Sequence, residues 1–274
     1  MNFDFSEDQK FLGNEARKFL EAECPMTAVR LVLNDDDMSH NETVWNKVVE
    51  MGWLGTAIPE EHGGLGLGLL EVCVLAEEMG RVLAPVPWAS TVYFFTEALK
   101  IAGSDAQQAD ILPRIVSGDV VGCYAASEGP GNPDAANLKT VFDGTTLSGT
   151  KLPVTDGDVA THAVVLAKEG SGASLVLVDL TGAGVTRKTL QTLDPTRSHA
   201  EITFDKAPAT RLGKAGDGEM LNDQVLDHAA VLLAFEQLGG ASRALEMATA
   251  YAKERYAFGR PIGGNQAIKH KLAE

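Results

Sequence analysis

The sequence predicts an α+β protein of several domains: an N-terminal α-helical domain, a middle antiparallel β-barrel or sandwich domain, and the start of a C-terminal long-helix bundle. Three observations carry this. Apolar residues recur at helical spacing through the first 118 or so positions. Between about 119 and 215 the chain turns rich in Gly, Thr, Val, Asp and Pro, with short apolar runs broken by turn dipeptides. From 216 to 274 the helical pattern returns. A chain of 274 residues is long enough to bury a large core and divide into two or three units. The expected domains are therefore 1–118, 119–215 and 216–274.

The elements follow in order. Ser6 with Gln9 three residues on makes a capping box, and Phe11, Leu12, Ala16, Phe19 and Leu20 then fall on a helical face. Pro25 closes that helix, and Asn34-Asp35-Asp36-Asp37 reads as a solvated turn. A short helix is expected around Glu42–Met51 and a longer one around Leu70–Val82, with Val72, Cys73, Ala76 and Met79 along one side. Between them Gly63-Gly64-Leu65-Gly66-Leu67-Gly68 lacks the spacing of a phosphate loop and follows no strand, so its glycines are read as permitting a tight path. Further helices are expected near 89–102 and 106–117.

In the middle region Ala163-Val164-Val165-Leu166-Ala167 and Ser174-Leu175-Val176-Leu177-Val178 read as strands. In the third, Leu221, Val225, Leu232, Leu233, Met247 and Tyr251 belong to one helix of about 35 residues, a length that implies packing against other long helices.

Composition limits function. Lys and Arg number 23 against 38 Asp and Glu, a formal charge of −15, which argues against general nucleic-acid binding. With 45% apolar residues the chain is not globally disordered. Cys24, Cys73 and Cys123 form no CxxC, and the six histidines form no ligand spacing, so neither a disulfide framework nor a metal site is expected. The first residues carry no basic and apolar leader pattern, and the longest apolar run, Ala229–Phe235, is far below the roughly 20 residues of a membrane span. A reduced, cytoplasmic protein is the expectation.

Three segments could carry chemistry. Tyr124–Asp134 ends a strand in a Gly/Pro loop, where free backbone N–H groups and the Ser127 hydroxyl could bond a planar polar heterocycle; an ordinary turn is the alternative. Tyr251–Glu274 is locally basic, so Arg255 and Arg260 could hold a pyrophosphate or belong to a solvated helical hairpin. Glu236 is the only acidic residue between His228 and Leu245. Desolvated there, its carboxylate would have a raised pKa and could act as a base. Pairing with Arg243 or with a neighbouring helix is the other reading.

Taken together, these segments resemble the acyl-CoA dehydrogenases. The likeness runs from Phe5-Ser6-Glu7-Asp8-Gln9 through Pro59-Glu60-Glu61-His62-Gly63-Gly64-Leu65-Gly66 and Tyr124–Asp134. It ends in Glu254-Arg255-Tyr256-Ala257-Phe258-Gly259-Arg260-Pro261-Ile262 and Gln266-Ala267. The resemblance implies FAD as cofactor and oxidation of an acyl-CoA thioester between its α and β carbons, a step of fatty-acid or lipid metabolism. It implies electron transfer to an electron-transfer flavoprotein, and an oligomer, whether a homodimer, a homotetramer or a heteromer with a paralogue. By the same likeness Tyr124, Ala126 and Ser127 match the strand end that meets the flavin ring, and Thr155 matches the threonine at its reactive edge. Arg255, Phe258 and Gln266 match positions that reach the FAD of a neighbouring subunit.

The chain also departs from the family pattern. Pro153 stands at the usual flavin-side tryptophan, and Pro133 at the serine of a Gly-Ser-Asp loop. Ala229 and Ala230 stand where many members carry a base, in some subfamilies, and an arginine. The commoner catalytic glutamate is expected beyond residue 274, so the C-terminal helical domain reads as truncated, whether the chain is a fragment or proteolysed form or a naturally short subunit. Glu236, seven residues after Ala229 and so roughly 10 Å further along the same helix face, is the candidate base or substrate-pocket carboxylate. Two alternatives remain: a non-catalytic subunit that completes a partner's FAD site, and a flavin oxidase or hydroxylase of the same fold.

Overall fold

A computed structural model describes residues 4–274. The helical layer begins with α1 (Glu7–Glu23), capped by Ser6 and Gln9 in the expected reciprocal pair. It continues with α2 (Met26–Leu33), α3 (Glu42–Glu50) and α4 (Leu69–Val82). Helix α2 has no counterpart among the expected elements, because it starts after Pro25 with no side-chain cap to announce it. A π-helical segment, Ala89–Thr96, runs directly into α5 (Glu97–Ala102). There the Thr96 hydroxyl donates to the Thr91 carbonyl at 2.8 Å. Next comes α6 (Asp105–Val116).

Seven strands make the middle region: β1 (Gly122–Ala125), β2 (Val141–Phe142), β3 (Thr146–Thr155), β4 (His162–Glu169), β5 (Gly172–Asp179), β6 (Val185–Leu190) and β7 (His199–Leu212). Pairings β4–β2, β2–β3, β3–β7, β7–β5 and β5–β4 close a ring, with β1 on β4 and β6 on β7. The barrel is not wholly antiparallel: β1 runs parallel to β4, and β2 meets β4 in parallel at one residue pair. The chain between β1 and β4 exceeds the dozen or so residues that a parallel crossover requires.

Alternation explains why the barrel strands read as continuous apolar runs. Ala163, Val165 and Ala167 of β4 fill the barrel, while Val164 and Leu166 face the helical core. On β5, Val176 and Val178 point inward, and Leu175 and Leu177 outward to the helices. Both faces are therefore buried.

The C-terminal part is one helix of 37 residues, α7 (Gly218–Glu254), then a two-stranded hairpin of β8 (Tyr256–Ala257) and β9 (Arg260–Pro261), and α8 (Gln266–Ala273). Helix α7 crosses α4 on two glycines. A Cβ on Gly80 would meet the Glu236 carbonyl oxygen at 1.9 Å, and one on Gly239 would meet that of Glu77 at 1.8 Å. Backbone thus lies on backbone, which fixes Glu236 against the end of α4. At this crossing Leu238 of α7 faces solvent, and past it Leu245 and Met247 are exposed. Among the described residues no helix is long and apolar enough to cross a membrane.

Candidate active site at the open end of the barrel

The end of β1 is shaped by what its alternating residues meet. Cys123 and Ala125 enter the barrel core, and Tyr124 and Ala126 face the helices. The Tyr124 hydroxyl donates to Asn222 Oδ1 on the second turn of α7 at 2.9 Å, and its ring lies 6.0 Å from that of Phe94. Its side chain is thus engaged with protein, and further on the Ser127 hydroxyl donates to the Gly129 carbonyl at 3.2 Å.

The loop that follows is tied to β3. Leu152 N–H donates to the Ser127 carbonyl at 3.0 Å, and Gly129 N–H donates to the Leu152 carbonyl at 2.8 Å. Beneath it lies a fully buried ammonium: Lys151 Nζ donates to the Ala126 carbonyl at 2.9 Å and to Glu128 Oε1 at 2.8 Å. Glu128 also accepts the amides of Lys139 at 2.7 Å and Thr140 at 3.0 Å. Burial pushes the Glu128 carboxyl up, but the Lys151 ammonium and those two amides outweigh it and hold the group at about 2. Burial pushes the Lys151 ammonium down, to about 8, against the pull of Glu128.

Three residues beyond Leu152, roughly 10 Å along a strand, Thr155 ends β3. Its Oγ1 lies 3.2 Å from His199 Nε2 on β7, and His199 Nδ1 lies 3.0 Å from the Arg197 carbonyl oxygen. The Arg197 guanidinium pairs with Glu236 Oε1. Next to Thr155, Asp156 is fully buried in a left-handed backbone conformation (φ 56°). It accepts the Ser90 hydroxyl at 2.6 Å, and its own amide donates to the Ser198 carbonyl at 2.8 Å. Burial raises its carboxyl to about 6, with the Ser90 hydroxyl and the Arg197 charge acting in the other direction.

Glu236 does not pair with Arg243, which meets Glu246 instead, nor with a residue of a neighbouring helix. Its partner comes from the loop before β7, a source that helical spacing cannot reveal. Glu236 Oε2 is buried with no partner among the described residues. The residue lines a cavity of about 330 Å³ together with Leu83, Ala84, Arg197, Leu233 and Gln237.

The remaining sequence-predicted residues lie elsewhere. Arg255 caps the far end of α7, Phe258 is fully exposed at the hairpin tip with φ 54°, and Gln266 opens α8, also exposed. Arg260 is engaged by Asn265, the residue before α8. Asn222, which holds Tyr124, precedes Arg255 by 33 positions on one helix, about 50 Å of rise. No single dinucleotide spans that distance. The structure therefore groups Tyr124, Ala126, Ser127, Thr155 and, through His199 and Arg197, Glu236; it places Arg255, Phe258 and Gln266 apart from them. Sequence reasoning missed His199, Arg197, Asp156 and the Lys151–Glu128 pair, whose partners lie tens of positions apart.

Two domain patterns match the chain: the N-terminal domain of acyl-CoA dehydrogenases over residues 6–119 and their C-terminal domain over 216–274. The chain belongs to the acyl-CoA dehydrogenase family. An acyl-CoA dehydrogenase of Bacillus subtilis (strain 168) is 31% identical over 244 residues, 83% of this chain, and the matched part spans 64% of that protein's length. Among solved structures, a steroid acyl-CoA dehydrogenase variant described as Tcur3481-Tcur3483 is 36% identical with a TM-score of 0.87, over 97% of this chain and 72% of its own. The ChsE4-ChsE5 complex of Mycobacterium tuberculosis is 29% identical with a TM-score of 0.88, over 100% and 74%. An acyl-CoA dehydrogenase from Bacillus anthracis, solved complexed with FAD, is 25% identical with a TM-score of 0.89, over 98% and 48%. FAD is the cofactor of this acyl-CoA dehydrogenase family.

The types of donor present fit the chemistry of FAD. Thr155 and the Ser127 loop offer polar groups at the ends of β3 and β1, while Arg255, a guanidinium with no side-chain partner among the described residues, precedes the exposed Phe258 by three positions. Backbone amides and hydroxyls suit a planar heterocycle, a guanidinium suits a pyrophosphate and an exposed aromatic ring suits an adenine.

Proposed function

We propose that this chain contributes to an FAD-dependent enzyme that removes hydrogen from the α and β carbons of an acyl-CoA thioester and passes electrons to an electron-transfer flavoprotein. The observation that supports the proposal is the roughly 50 Å of helix rise between Asn222, which holds Tyr124, and Arg255; on this reading the two ends of α7 carry complementary parts of a cofactor site. A second chain, identical or paralogous, supplies the missing half.

Bound FAD would supply the hydride acceptor. The chain's own residues bind and orient. The 127–129 loop, held on β3 by Leu152 and on the Lys151–Glu128 pair, positions the Ser127 backbone and hydroxyl. Thr155 stands at the end of the same strand. Arg255 offers its fork of N–H donors to a phosphate of the dinucleotide bound mainly by the neighbouring chain. With Oε1 of Glu236 committed to Arg197, Oε2 is the oxygen left to take a proton from a substrate in the adjoining cavity.

The ion pair on Glu236 also favours a second reading, in which the chain completes the FAD site of a catalytic partner. A flavin spectrum separates the two. FAD bound to the purified chain and bleached anaerobically by an acyl-CoA supports the first. Flavin acquired only with a co-purified paralogue supports the second, and peroxide release on turnover would point to an oxidase instead. Replacing Glu236 by Gln tests the base: a loss of a hundredfold or more in turnover is expected, and unchanged turnover removes it from the mechanism.

A further inference from the structure

Thr155 and His199 are directly opposite partners on β3 and β7. Both ring nitrogens of His199 are engaged: Nε2 lies 3.2 Å from Thr155 Oγ1, and Nδ1 lies 3.0 Å from the Arg197 carbonyl oxygen. A carbonyl oxygen only accepts, so Nδ1 must carry a proton. A neutral imidazole has one N–H, which leaves Nε2 as a bare lone pair. The hydroxyl of Thr155 must then donate to it. A threonine hydroxyl has one proton and two lone pairs. With the proton turned toward His199, Thr155 presents only lone pairs elsewhere. The Arg197 carbonyl that sets this arrangement is itself anchored, because the Arg197 side chain is held by Glu236 on α7.

We propose that His199 is a positioning residue that makes Thr155 a hydrogen-bond acceptor, and not a donor, toward the ligand bound at the end of β3. The ligand that fits is a planar heterocycle presenting an N–H at that edge. This rests on the reading of Thr155 as the residue at the reactive edge of the flavin. The reduced isoalloxazine carries an N–H there, and the oxidised ring carries a bare nitrogen. His199 therefore favours the reduced form. Removing it would free the Thr155 proton to donate to the oxidised ring.

The first test needs no flavin. In protein labelled with 15N-histidine at pH 8, His199 should show a protonated Nδ1 and an unprotonated Nε2; the opposite tautomer, or a doubly protonated ring, overturns the proposal. The second test measures the midpoint potential of bound FAD. H199F should favour oxidised FAD about tenfold more than the parent chain does, a fall of about 30 mV for a two-electron couple. T155S should keep the parent value. In a T155V background H199F should have no further effect. An equal shift in both backgrounds, or no shift in either, refutes the role of Thr155. If H199F does not fold, H199Q replaces it, because an amide can turn its N–H to Thr155 and release the same proton. A parent protein that binds no flavin would remove the flavin reading, while the labelling experiment would still decide which way the hydroxyl points.

Discussion

Replacing Lys151 by methionine isolates the force that holds the 127–129 loop in place. Methionine keeps most of the apolar stem and deletes the ammonium. Two groups then lose their partner: Glu128, whose side chain is 12% exposed, and the Ala126 carbonyl. Breaking a buried ion pair from one side costs about 3–5 kcal/mol, because a charge is left buried and uncompensated. Glu128 keeps the amides of Lys139 and Thr140, which places it at the lower end of that range. The bare Ala126 carbonyl adds about 1 kcal/mol, for a total near 4 kcal/mol. Adding Glu128→Gln should return about half of this, since no charge then remains to be stranded. The assay is urea denaturation followed by circular dichroism for parent, both single variants and the double variant. A loss below about 1 kcal/mol in Lys151→Met, or a double variant less stable than that single, would refute the reasoning.

Three further outcomes are expected. Gly239→Ala should lose at least about 2–3 kcal/mol and weaken the α4–α7 crossing, because its Cβ would meet the Glu77 carbonyl oxygen at 1.8 Å; Gly240→Ala, whose nearest neighbour is the Gly80 oxygen at 3.5 Å, should be tolerated. Equal thermal shifts in the two variants would contradict this account of the crossing. Asp156→Asn should change the pH dependence of stability. The folded Asp156 carboxyl sits at about 6, so from roughly pH 4 to 6 the unfolded chain has already lost a proton that the folded chain retains, and parent stability falls as pH rises. The asparagine variant lacks that fall and should gain on the parent by up to about 3 kcal/mol across the window, read as denaturation midpoints at pH 4 and 7; parallel curves refute it. Arg255→Ala and Phe258→Ala should each leave the stability of the isolated chain within about 0.5 kcal/mol while lowering FAD retention at least tenfold on gel filtration; retention unchanged in both would detach the hairpin from the cofactor.

The helices were legible where local rules decide them. The Ser6–Gln9 cap, the apolar face of α1 and the length of α7 are written in contiguous residues. Helix α2 was not, because it is eight residues long and its N-cap is a proline without a side-chain bond. The turn-bounded apolar runs of β4 and β5 mark strands, but their partners depend on ring closure, so the parallel pairing of β1 has no local signal. At the site, the isolation of Glu236 in an apolar stretch singled it out, whereas its partner Arg197 is 39 positions away in a loop. Asp156 and Ser90 are 66 apart, joined only once the barrel docks on the helices. Thr155 and His199 came together through strand register, which nothing in either segment specifies alone.

The 37-residue α7 has a consequence for how any holoprotein would behave on dilution. If, as proposed, each end of this helix carries one half-site, coenzyme retention becomes a matter of mass action between chains. Stock solutions would then stay yellow and assay-strength samples would shed their colour, with no change in the fold of either chain.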